Sequence, residues 1–186
     1  MNLPNILSIL RITLIPVFIV VFSAKSASGP QWAAAIFSIA SITDWFDGYI
    51  ARKWGQVTLF GKFLDPIADK LVILSALIML VEYNRVSSWI AIVLIGRDMA
   101  ITGLRAIASS MGIVIAAKEI GKYKTTVQIF AIILLMLDSP LLINGTSIDL
   151  HLWGTTGIWL AAILSLISAL DYSLKFWNDM KGHKID

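Results

Sequence analysis

Apolar residues gather in six stretches, at about 6–23, 31–51, 62–83, 88–107, 120–138 and 152–176, with short polar segments between them. Each is about as long as a helix must be to cross a hydrocarbon core of roughly 30 Å at about 1.5 Å per residue. The connections carry turn and breaker residues: Ser28, Gly29 and Pro30; Asn84 and Arg85; Ser139 and Pro140, followed by Asn144 and Gly145. The first stretch has no basic residues ahead of it and is interrupted by Arg11, so it reads as a span rather than a cleaved leader. No internal repeat and no long hydrophilic region appears. The pattern predicts one integral-membrane domain over residues 1–186, all-α, with six transmembrane helices.

Composition agrees with the bilayer as solvent. Of 186 residues, 58% are hydrophobic and 15% charged, against roughly 25% charged in an average soluble domain. With no cysteine and two histidines, disulfides, thiolate metal sites and a cysteine nucleophile are excluded, and a bound metal must be held by oxygen. Thirteen of the 15 Lys and Arg fall on one side if the spans alternate; Lys25 and Arg85 fall on the other. The positive-inside rule then places both termini and the 2–3 and 4–5 connections in the cytoplasm.

Four of the 12 acidic residues change the picture from architecture to chemistry. Asp44, Asp47, Asp65 and Asp69 lie within 26 residues of otherwise apolar sequence, where each carboxylate costs about 2.5–3.5 kcal/mol on insertion scales. On helices, Asp44 and Asp47 are i,i+3 neighbours and Asp65 and Asp69 are i,i+4 neighbours, so each pair shares a face. A short link around Gly55 brings the two faces together. Four such anions repel unless cations join them. An all-oxygen set suits Mg²⁺ or Mn²⁺, and four carboxylates suit two cations that also bind substrate phosphates. Gly48, Ala51 and Gly61, ordinarily helix-packing residues, here flank the acids and leave room for a ligand. Arg52 follows as an anchor or a diphosphate ligand.

The spacing from Asp44 through Asp47, Gly48, Ala51, Arg52, Gly61 and Asp65 to Asp69 resembles, without departure, the signature of the CDP-alcohol phosphotransferases. The resemblance extends to the opening Asn2, Pro4, Asn5, Ser8 and Arg11, and to the segments Gly96, Arg97, Asp98, Gly103, Arg105 and Gly121, Lys122, Lys124, Thr125, Thr126. It implies that family's fold, six transmembrane helices with a short N-terminal interfacial segment, and homodimers in a bacterial cytoplasmic membrane. It further implies a dinuclear Mg²⁺ or Mn²⁺ site on Asp44, Asp47, Asp65 and Asp69, with Asp65 and Asp69 catalytic and Asp69 the general base. Asn5, Gly48, Ala51, Arg52 and Gly61 are expected in the CDP pocket. The flanking segments resemble members that use CDP-diacylglycerol as donor and glycerol 3-phosphate as acceptor. The acceptor's phosphate is then expected on Arg105, Lys122 and Lys124, with Arg97 contributing or pairing with Asp98. Where the family usually has Glu after the span-4 arginine this chain has Asp98, a change expected to touch no residue assigned to chemistry.

Other residues read more plainly. Trp32, Trp89, Trp153 and Trp177 sit near span ends as an interfacial belt. Met79, Met99 and Met136 are expected in the core. His151 has no partner at ligand spacing, and Asp138, Asp149 and Asp171 are expected to be solvated. Other acceptors, inositol phosphate or serine, fit the same scaffold; a cation transporter would spread its acids through the bundle and carry a duplicated half. Membrane lipid is an expected partner and nucleic acid is not.

Overall fold

The computed structural model describes residues 3–24, 26–54, 59–112, 119–143 and 146–182; within these, the side chains of 3–5, 44–54, 59–63, 65, 119–120, 122, 141–143, 146 and 182 fall outside the description. Six helices follow one another: α1 (Leu3–Ser23), α2 (Gly29–Trp54), α3 (Leu59–Glu82), α4 (Ser88–Ser110), α5 (Glu119–Leu137) and α6 (Leu150–Gly182). Their order and bounds match the six apolar stretches. The expected N-terminal interfacial segment is not set apart, because α1 is already helical at Leu3. Among the described residues two helices, over Ile6–Ser23 and Leu150–Lys181, are long and apolar enough by themselves to cross a membrane, and α5 has a shorter apolar stretch over Tyr123–Leu137. In α2, α3 and α4 the apolar runs are broken by charges, among them Asp44 and Asp47, Asp65 and Asp69, and Arg97 and Asp98.

Between α5 and α6 the chain forms a hairpin. Strands β1 (Leu141–Ile143) and β2 (Thr146–Ile148) pair antiparallel, with Leu141 opposite Ile148 and Ile143 opposite Thr146. Asn-Gly between two short apolar runs is a strong hairpin signal. Read only as a turn, it hid two strands.

The helices pack around an apolar centre. Phe18, Phe37, Leu77, Leu80, Leu94, Ile132, Leu135, Met136 and Ile158 are buried together there. α5 and α6 make the most extensive contact, α1 lies against α2 and α3, and α4 lies against α6. Glycine makes the α5–α6 approach possible: a Cβ on Gly154 would stand 2.7 Å from Leu135 Cγ and 3.1 Å from its backbone nitrogen, and one on Gly157 would stand 3.0 Å from Ala131 Cβ. The outer surface is also apolar, with Trp32, Trp89, Trp153 and Trp177 all more than half exposed. That suits a lipid-facing exterior with an aromatic belt. Met79 and Met136 are core residues as expected; Met99 is not, being 52% exposed, because its position on α4 turns toward a cavity mouth rather than the bundle axis.

At the end where α3 and α5 finish and α6 begins, an ion-pair cluster ties three elements together. Asp138 holds Arg85 Nε at 3.1 Å and His151 Nδ1 at 2.6 Å. Arg85 also donates to the carbonyls of Leu135 and Met136, at 3.0 and 2.6 Å, capping the last turn of α5. Asp138, expected to be solvated, is instead tied into two ion-pair contacts, one of them to His151. Asp149 is a capping residue too, accepting from the Leu152 backbone N–H at 3.2 Å.

The close approach yields a prediction. Gly154→Ala overpacks the α5–α6 contact and lowers stability by about 1–3 kcal/mol, whereas Gly96→Ala, whose Cβ would meet nothing within 4 Å, changes it by less than about 1 kcal/mol. Thermal unfolding in detergent should separate the two, and equal shifts would contradict the packing described.

Candidate active site

The four aspartates fall on helix ends that face each other along the chain. Asp44 and Asp47 lie on the final turns of α2, with Gly48, Ala51 and Arg52 beyond them; Gly61, Asp65 and Asp69 lie on the opening turns of α3. α2 and α3 are in contact. The side chains of Asp44, Asp47, Gly48, Ala51, Arg52, Gly61, Asp65, Asn5 and Lys122 lie outside the described residues, so their placement stays an expectation. Asp69 is described. It is half-buried and lines a cavity of about 610 Å³.

That cavity is bounded by four helices. Ser41 comes from α2, Asp69 and Lys70 from α3, Arg97, Asp98, Thr102 and Arg105 from α4, and Gly121, Lys124 and Thr125 from α5. Thus three of the four predicted acceptor-phosphate residues, Arg97, Arg105 and Lys124, share one space with the predicted base. Arg97 and Arg105 are eight residues apart on α4, about two turns. Lys124 reaches the same wall from α5. The Lys70 ammonium turns back on its own helix, donating to the Pro66 carbonyl at 3.2 Å. Arg105 is exposed at the cavity and lies over the Tyr172 ring of α6, at 5.4 Å from its centroid.

The cations are held by Asp98. Lys124 Nζ stands 2.8 and 2.7 Å from the two carboxylate oxygens, and Arg97 Nη1 stands 2.8 Å from Oδ1. Arg97 Nε donates to the Ser165 carbonyl at 2.9 Å, which fixes the guanidinium against α6. Lys124 is only 2% exposed, and the charges of Asp98, Arg97 and Asp69 all act on it. Two cations brought to one carboxylate repel by about 4 kcal/mol at a separation of about 4 Å and an effective dielectric of about 20. The shared anion offsets that repulsion. Asp98 therefore touches two residues assigned to chemistry: its pairing with Arg97 was among the expectations, and its contact with Lys124 was not, because that contact joins residues 26 apart on different helices and helix register is invisible in the spacing.

Further polar atoms lie behind this network. Gln128, one turn beyond Lys124 on the same face of α5, is fully buried, and neither its amide N nor its O finds a partner among the described residues; the Ser165 hydroxyl is in the same state. Ser8 and Arg11 of α1 are likewise almost fully buried. Arg11, one of the cations assigned to the cytoplasmic side, is 1% exposed and so lies in the interior of the bundle, a placement compatible with that side.

The donor set suits a hard divalent cation: oxygen ligands alone, on two adjoining helix ends, with Asp69 opening onto a polar cavity. Among the described residues no three acidic or histidine side chains converge; Asp44, Asp47 and Asp65 lie outside them. The chemistry that the described part can perform is plain. A carboxylate able to take a proton faces three cations able to hold an anion, in one cavity large enough for a small phosphorylated molecule.

Comparison with known proteins agrees. Residues 1–168 match the model of the family described as CDP-alcohol phosphatidyltransferase. A protein of Bacillus subtilis strain 168 named CDP-diacylglycerol--glycerol-3-phosphate 3-phosphatidyltransferase is 42% identical over 194 residues, covering 97% of each chain. Proteins of the same name from Rickettsia bellii and Salmonella typhimurium are 40% identical over 171 residues and 39% over 176, covering 92% of this chain and 93% and 92% of theirs. By this match over most of its length, and by the aspartate spacing on α2 and α3, the chain belongs to the CDP-alcohol phosphatidyltransferase family.

Proposed function

We propose that this protein transfers the phosphatidyl group of CDP-diacylglycerol to the hydroxyl of glycerol 3-phosphate, forming phosphatidylglycerophosphate and CMP. The observation that carries the reading is that Asp69, Arg97, Arg105 and Lys124 all line one cavity. Relatives about 40% identical over nearly the whole chain carry the name of this activity. Three cations beside the base favour a phosphorylated acceptor over serine.

In this reading Asp44, Asp47, Asp65 and Asp69 would hold two divalent cations, Mg²⁺ or Mn²⁺, which when bound neutralise the donor's diphosphate. Asn5, Gly48, Ala51, Arg52 and Gly61 line the CDP pocket. Arg97, Arg105, Lys122 and Lys124 bind the acceptor's phosphate and so set the distance from its far hydroxyl to Asp69. The hydroxyl oxygen attacks the β-phosphorus, the bond from that phosphorus to the CMP oxygen breaks, and the hydroxyl proton passes to the Asp69 carboxylate. Positioning and charge supply most of the catalysis, as in other phosphoryl transfers.

The six helices all cross the bilayer, with both termini and the cavity at the cytoplasmic face. Charge inside the membrane is tolerated where it lines the cavity, as Asp69, Arg97, Asp98 and Arg105 do. The donor's acyl chains lie in a groove open to the membrane, and two copies form a homodimer through membrane helices.

Three outcomes are expected. Purified protein given CDP-diacylglycerol releases CMP with glycerol 3-phosphate and not with serine or inositol phosphate, and a chelator of divalent cations stops the release; turnover with serine alone would reject the acceptor. Asp69→Asn lowers turnover by roughly 10²–10⁴-fold while CDP-lipid binding stays within a few-fold, and near-normal turnover would remove Asp69 as the base. Arg105→Ala raises the acceptor KM by about 10–100-fold, the loss expected for a charge-assisted hydrogen bond worth about 1.5–3 kcal/mol, with unfolding unchanged because Arg105 is exposed; an unchanged KM would take it out of the site.

A further inference from the structure

The cationic end of the cavity contains a carboxylate for which the transfer itself has no use. Asp98 carries no proton in the reaction as written and is not among the residues expected to hold the donor's diphosphate. It nevertheless makes three of the shortest polar contacts there: both of its oxygens to Lys124, at 2.8 and 2.7 Å, and Oδ1 to Arg97 at 2.8 Å. It lines the cavity, with a side-chain exposure of 22%.

We propose that Asp98 is a positioning residue for acceptor binding, holding Lys124 and Arg97 as one aimed pair. The inference rests on the acceptor reading above. Lys124 stands on a long flexible arm from α5 and Arg97 on another from α4; alone, the two charges would drive each other apart. With Asp98 between them and the Ser165 carbonyl on Arg97 Nε, both heads are fixed before any ligand arrives. Of the five guanidinium N–H groups of Arg97, Nε–H and one on Nη1 are engaged, and three have no partner among the described residues. Those three, with exposed Arg105 two turns away, are what a phosphate monoester can engage. Ordering these arms in advance reduces the freedom lost on binding, so the benefit falls on the acceptor and not on the donor.

A graded pair of variants in the full-length protein, Asp98→Glu and Asp98→Asn, tests this by steady-state kinetics with CDP-diacylglycerol and glycerol 3-phosphate varied separately, alongside thermal unfolding. The acceptor KM should rise about threefold in Asp98→Glu, which keeps the charge on a longer arm, and tenfold or more in Asp98→Asn. The donor KM should stay within twofold in both. An acceptor KM in Asp98→Asn at or below that of the wild type, as expected if Asp98 merely competes with the incoming anion, overturns the proposal. So does a donor KM that moves in parallel with the acceptor KM, the mark of a purely structural role. If Asp98→Asn does not fold, Asp98→Glu decides by the same split between the two substrates. Failure of the acceptor reading is distinguishable, because the wild type itself would then release no CMP with glycerol 3-phosphate.

Discussion

Charge inside an apolar helical bundle is the constraint on which the rest of this structure depends. An isolated ion in such a place is costly, and removing one partner of a buried pair is worse than never having had the pair. The protein answers by gathering its interior charges where they can neutralise one another. Lys124 is buried on Asp98, Arg97 is shared between Asp98 and the Ser165 carbonyl, and at the far end Asp138 joins Arg85 to His151. The rest of the interior is largely apolar.

The same economy separates the roles of the two ends. At the end where α3 and α5 finish, every described charge of the cluster is consumed in holding elements together: Arg85 caps α5 and reaches the connection after it. At the other end the described charges open onto a cavity, which Arg97, Asp98, Arg105, Lys124 and Asp69 all line. Cations and a carboxylate on one cavity are what a substrate with a phosphate at one end and a reacting hydroxyl at the other can use. The short contact between α5 and α6, made possible by Gly154 and Gly157, holds the α5 wall of that cavity steady against the helix that also positions Arg97.

Much of this was legible in the amino-acid sequence. The six helices were visible because a run long enough to span a membrane and ended by Gly, Pro or Asn leaves few alternatives, and the aspartates were visible because acids are costly in such runs. What was hidden depends on how separate helices are rotated against each other. Asp98 and Lys124 are 26 residues apart, and His151 and Asp138 are 13 apart across a hairpin; no local spacing encodes either contact. Met99 was misplaced for a different reason, since an apolar residue on a helix that borders a cavity need not face the core.

The central claim is that one cavity binds the acceptor's phosphate at its α4–α5 wall while presenting the hydroxyl to Asp69. A structure of the protein with glycerol 3-phosphate bound tests it most directly. The account predicts the phosphate within about 3 Å of the Arg97 and Arg105 guanidinium groups, with the far hydroxyl directed toward Asp69. A phosphate bound outside this cavity, or bound within it with its hydroxyl turned away from Asp69, would contradict the account.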